Sequence, residues 1–278
     1  MSYATVMVQL ELGRSNAAPL GVTRDLAKRL HAAVTGVAAA QPMQLALAAE
    51  GYYGGDIVRE DSEWIDQEAR KAEAEFRTEM NGHPDGLDWN MTVTSYPLSD
   101  RIADATGTAD ILVVGIDQKS GEYSNSSRRV DIDDLLMKAG RPVLVVPLGV
   151  QHFHFHRALV AWKETREARR ALADALPLLR QMNRVVIAEI VAPEQESVAQ
   201  ANLNRVVAWL GRHGVTATPH LDISGGNHGE RLLALADEVG AELLVAGAYG
   251  HSRLREWILG GVTHDLLHKG GRCLLLSH

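Results

Sequence analysis

An internal duplication constrains this chain more than any other feature of its sequence. Ala109-Asp110-Ile111-Leu112-Val113-Val114-Gly115 returns as Ala241-Glu242-Leu243-Leu244-Val245-Ala246-Gly247, 132 residues later. Asp134-Leu135-Leu136-Met137-Lys138-Ala139-Gly140-Arg141 returns as Asp265-Leu266-Leu267-His268-Lys269-Gly270-Gly271-Arg272, 131 residues later. Each second block runs into an apolar segment that closes its half, Pro142 to Val146 and Cys273 to Leu276. Order and spacing survive with a single gap, so the match is not a coincidence of composition. A period this long repeats a whole domain rather than a solenoid unit. The 278 residues suffice for two domains. We place them at 1–149 and 150–278, with the linker near Leu148 to His156.

Each half alternates short apolar runs with segments of helical periodicity. In the second half, strands are expected at Arg157–Trp162, Arg184–Ile190, Val215–Leu221, Leu243–Ala246 and Arg272–Leu276. Helices are expected at Thr165–Met182, Pro193 to about Arg212, and Gly229–Val239. In the first half, strands are expected near Thr5–Leu10, Ala33–Ala38, Trp89–Ser95, Ile111–Val114 and Pro142–Val146, with a long helix over about Asp56–Met80. Strands alternating with helices imply βαβ units, and hence a parallel sheet covered on both faces.

Composition narrows the class. Hydrophobic residues make up 46% and charged residues 23%, the balance of a globular protein with a real core. The formal net charge of -7 comes without Lys/Arg runs, which argues against nucleic acid and anionic membranes as partners. No apolar stretch reaches the length of a membrane span, and the N-terminus lacks the pattern of a secretory leader. A cytoplasmic location is expected. Cys273 is the sole cysteine and lies in an apolar strand, so it reads as a core residue.

The chemistry concentrates after the fourth strand of the second half. Gly247-Ala248-Tyr249-Gly250 follows that strand, and Gly260-Gly261-Val262-Thr263 opens the last helix. Glycines let a ligand approach the backbone closely. Amides at a helix N-terminus favour phosphate. Thr263 adds a hydroxyl, and His251 and Arg253 add positive or polar groups from the loop. The pattern Gly-x2-Gly-x9-Gly, set between the fourth strand and last helix of a five-stranded α/β unit, resembles the universal stress protein family. The tandem arrangement is similar to its two-domain members. The resemblance implies two Rossmann-like domains of strand order 3-2-1-4-5, with ATP between strands 1 and 4. It implies contacts from Ala246, Gly247, Gly250, Gly260, Gly261 and Val262, and no metal beyond Mg accompanying ATP.

This sequence departs from the family pattern in two places. Gly261 stands where the family usually has Ser or Thr. Lys163, in Trp162-Lys163-Glu164-Thr165, stands where an Asp usually anchors the adenosine moiety, and a charged lysine accepts no hydrogen bond. The first half has lost more. Its loop reads Gly115-Ile116-Asp117-Gln118, and Arg128-Arg129-Val130-Asp131 precedes its last helix. Asp117, Asp131, Asp133 and Asp134 are expected to repel phosphate there, with Arg128 and Arg129 acting the other way. This half is expected to be a partner domain without nucleotide.

Other candidates are weaker. His152, His154 and His156 alternate, a spacing that suits metal ligands in an extended segment. The plainer reading is a solvated linker with Phe153 and Phe155 turned inward. His264 and His268 read as helix surface. No nucleophile elbow, Walker motif or acid/base pair is present, so no catalytic residue is named and no enzymatic activity is expected. The leading reading is therefore a regulatory stress-response protein whose second domain binds an adenine nucleotide. One alternative is an interaction module that binds no nucleotide and works through dimerisation. Another is a slow ATPase or small-molecule hydrolase. Self-association is expected through the edge strands, within the tandem chain or between chains.

Overall fold

The computed structural model describes residues 2–43, 54–117, 128–224, 227–248 and 261–278. The first half contains β1 (Thr5–Leu10), α1 (Ala17–Leu30), β2 (Ala33–Ala40), α2 (Gly54–Glu79), β3 (Leu87–Val93), α3 (Leu98–Ala105), β4 (Ile111–Ile116), α4 (Ile132–Lys138) and β5 (Val143–Pro147). The second contains β6 (Arg157–Ala161), α5 (Arg166–Leu179), β7 (Arg184–Val191), α6 (Glu196–Arg212), β8 (Ala217–Ile223), α7 (His228–Glu238), β9 (Leu243–Gly247), α8 (Gly261–Lys269) and β10 (Cys273–Ser277). Every strand expected from the sequence is present. The largest displacements are in β3 and β8, each starting two residues from its expected position. These are the outermost strands, where pairing on one side alone decides the ends.

The ten strands among the described residues join one sheet, in the order β3-β2-β1-β4-β5-β10-β9-β6-β7-β8. Within each half the pairing is parallel and follows the order 3-2-1-4-5. The halves meet where β5 and β10 pair antiparallel, with Leu274 opposite Val145, Leu275 opposite Leu144 and Leu276 opposite Val143. All five residues of each joining strand are buried. Two exposed edges are thereby removed by pairing them with each other.

Side chains alternate across this sheet as strand geometry requires. Val6, Val8 and Leu10 pack on one face with α1 and α2, as Ala158, Val160 and Trp162 do with α5 and α6. Met7 and Leu159 turn to the other face, with α3, α4, α7 and α8. Cys273 lies in the first of these layers, and burial pushes its thiol up to about 12, with Glu242 adding to the effect. It is a packing residue.

Local chemistry starts several helices. The Thr165 hydroxyl accepts the Ala168 N–H at 3.2 Å and caps α5. Asn227 accepts from Gly229 N–H at 3.0 Å and caps α7. Asp131 accepts from Asp133 and Asp134 N–H at 2.9 and 3.0 Å and caps α4. Between the halves, Phe153 and Phe155 are buried and pack edge to face, with ring centroids 4.7 Å apart. His152, His154 and His156 project outward as a stack, at 5.9 and 5.6 Å between neighbouring rings. The inward phenylalanines and outward imidazoles are those of a solvated linker.

Candidate functional site

The two middle strands of the second half place the site. β6 and β9 run parallel and adjacent, with Ala158 opposite Leu243, Leu159 opposite Leu244 and Val160 opposite Val245. From β6 the chain crosses to β7 on one side, and from β9 it crosses to β10 on the other. The helices that follow therefore diverge, and a crevice opens beyond the carboxyl ends of the strands. A cavity of about 230 Å³ lies there.

Five expected site residues line this cavity: Ala246 and Gly247 from the end of β9, and Gly261, Val262 and Thr263 from the first turn of α8. Residues as much as 17 positions apart in the chain are brought to one wall because α8 starts beside the end of β9. Gly250, His251, Arg253 and Gly260 lie outside the described residues. The two described glycines have different reasons to be glycine. A Cβ on Gly247 would sit 2.6 Å from both the Ala168 nitrogen and the Glu167 carbonyl carbon, so the start of α5 demands a glycine there. A Cβ on Gly261 meets no described atom within 4 Å. Packing explains the first glycine, whereas Gly261 leaves space at a helix N-terminus.

The opposite wall comes from the β6–α5 turn and α7. Trp162, Lys163, Thr165, Glu167 and His228 contribute to it. Trp162 is buried while Lys163 is exposed. Glu167 was not anticipated from the sequence. Its carboxylate is held below the ordinary range by its own backbone N–H first, then by Arg166, the Thr165 hydroxyl and His278, against the opposing effect of burial. It brings an ionised acceptor to the cavity that bears Lys163. The signal in the sequence is slight, an acidic residue in the first turn after the Thr165 cap, a common place for one in any helix.

A second buried carboxyl lies close by. Glu189 on β7 is only 7% exposed, and its Oε2 has no hydrogen-bond partner among the described residues. Burial raises its pKa to about 7, Glu164 adds to the shift, and Lys163 opposes it. The indole Nε1 of Trp162 is likewise buried without a partner among the described residues.

Comparison with known proteins bears on the same half. Residues 154–271 match the model of the universal stress protein family. The second half is a universal stress protein domain. Over 174 residues, or 62% of this chain, the sequence is 23% identical to universal stress protein Slr1230 of Synechocystis sp.. That match spans 59% of the relative's length. The whole fold is similar to a universal stress protein of Archaeoglobus fulgidus, with a TM-score of 0.74, 16% identity, and coverage of 99% of this chain and 98% of that one. It is also similar to a candidate universal stress protein of Pseudomonas aeruginosa, with a TM-score of 0.64, 13% identity, and coverage of 99% and 93%.

The tandem partner of this universal stress protein domain has its own cavity at the corresponding rim, beyond β1 and β4. The strand registers superpose Leu10 on Trp162 and Glu11 on Lys163. The acidic position missing from the second half is thus filled in the first, which has lost the glycines. The charges expected at its entrance are distributed otherwise. Asp131 caps α4, and Asp134 is taken up by Lys138 and Ser99. Arg128 pairs with Asp61 and lies 5.0 Å from the Trp64 ring centre. Of the four aspartates, Asp117 alone lines the cavity. Sequence proximity overstated Asp131 and Asp134, whose side chains are spent on a cap and on local pairs.

Proposed function

We propose that the universal stress protein domain of residues 154–271 binds an adenine nucleotide, and that the chain acts as a regulatory stress-response protein governed by that ligand. The observation that carries this reading is the open helix N-terminus at Gly261, facing the crevice at the switch point between β6 and β9. Phosphate groups suit the backbone N–H groups of the first turn of α8 and the positive end of its dipole. Glu167 supplies a hydrogen-bond acceptor for a ribose hydroxyl or base amine, a role Lys163 cannot fill. Mg would accompany the phosphates as part of the ligand. Lys163 favours the rival reading, an interaction module without nucleotide.

Calorimetric titration of ATP into the full chain tests the proposal. Saturable binding is expected, and Gly261→Val should abolish it with little change in the unfolding midpoint, because the added side chain enters free space. No binding at millimolar ATP, or binding that Gly261→Val leaves intact, overturns it.

A further inference from the structure

The cavity of the first half has a volume of about 360 Å³ and a lining unlike that of the second. Its floor includes Gln9 on β1, which is 4% exposed. No hydrogen bond joins the Gln9 carboxamide to another described residue. The amide opens on the cavity, so its hydrogen-bond partner is whatever occupies that space. The corresponding position of the second half is Ala161, which makes no such demand.

Around Gln9 the charge is acidic. Glu11 and Asp117 line the cavity, and Arg14 lies between them, 3.6 Å from Glu11 and 3.2 Å from Asp117. An adjoining hollow shares Glu11 and Arg14 and adds Glu68, Glu75 and Lys71. Four carboxylates thus surround two cations. Burial raises the Glu11 carboxyl above its ordinary range, with Arg14 opposing and Asp117 adding to the shift. Pro19 and the half-exposed Leu148 supply an apolar side.

We propose that this cavity binds a small aliphatic di- or polyamine, with ammonium groups on Glu11 and the Gln9 carbonyl and methylenes against Pro19 and Leu148. Arg14 is the resident cation of the site. An arriving amine takes its place beside Glu11, and Arg14 stays with Asp117. Ammonium N–H groups are donors that suit the Glu11 carboxylate and the Gln9 carbonyl, and a methylene chain suits the apolar wall.

The test is calorimetric titration of putrescine and spermidine into the full chain at physiological salt. Saturable binding at one site is expected. Glu11→Gln and Gln9→Met should each weaken it by about tenfold or more, in line with the loss of a charge-assisted or buried hydrogen bond. Arg14→Ala should tighten it, and its side chain is exposed enough that folding is not at stake. Thermal melts without ligand identify any variant that does not fold. Gly261→Val should leave amine binding unchanged, which separates this proposal from nucleotide binding in the second half. No saturation by either amine, indifference to Glu11→Gln, weakening by Arg14→Ala, or equal competition by magnesium chloride would each overturn it.

Discussion

The two halves share one fold and divide its usual equipment between them. The second half keeps the glycines after its fourth strand and carries Lys163 at the end of its first. The first half carries Glu11 at the position of Lys163 and has lost the glycines beyond Gly115. One rim is therefore lined by glycines at a strand end and a helix start, and the other is crowded with carboxylates. The scaffold at both rims is the same crevice between strands 1 and 4, so the difference lies in side chains alone. Chemistry diverged while topology did not, because the β5–β10 pairing and the two core layers constrain the strands but not the loops beyond them.

The largest expected effect tests what the retained glycine does. Gly247 is pressed against the α5 backbone, whereas a Cβ on Gly115 would meet only Pro19 Cγ at 3.4 Å and Cδ at 3.6 Å. Gly247→Ala should destabilise the chain by about 3 kcal/mol, the upper range for overpacking against backbone, and Gly115→Ala by less than about 1 kcal/mol. Urea denaturation measures both. Equal losses would show that the two loops are packed alike and break the contrast.

A second expectation concerns pH. Glu189 corresponds by register to Ala38 in the first half, so its titration has no counterpart there. Its pKa in the folded chain, about 7, lies above the ordinary 4.5, so the folded state holds more of this proton between those values. Stability from this group is complete below that window and is lost as pH rises through about 7. Glu189→Gln should flatten this dependence and stabilise the chain at pH 8 by on the order of 2 kcal/mol. Denaturation midpoints across pH 5 to about 8 measure it. An unchanged pH profile in the variant would show that Glu189 is solvated.

The third and smallest effect addresses the exchanged charge. Lys163→Asp restores to the second half the sign that Glu11 carries in the first. It should tighten ATP binding by about tenfold, the worth of one added hydrogen bond to a charged group. Weaker binding would mean that Lys163 holds phosphate.

Much of the architecture was legible because burial imposes periodicity. The apolar runs of β1, β6 and β7 are buried on both sheet faces, and their bounds agree with the sequence pattern within two residues. α1 was not legible, since Pro19 and Gly21 weaken its helical signature. Proline is tolerated in a first turn, and a Cβ on Gly21 would collide with the carbonyl oxygen of Gln151, from the linker. That glycine answers a contact 130 residues away in the chain. Glu167 was missed for a similar reason. Nothing near it in sequence says that β9 will arrive beside it.

The sequence alone determined the duplication, the alternation of strands and helices, and the confinement of the Gly-rich loop to the second copy. Those are carried by residue order and by the period of hydrophobicity, which are local properties. The tertiary structure alone decided that β5 and β10 close the sheet between the halves, that Gly247 serves packing while Gly261 borders open space, and that Glu167 shares a cavity with Lys163. It also decided that Gln9 lines an acidic cavity. Each of these depends on groups far apart in the chain meeting in space, and chain order carries no direct record of such meetings.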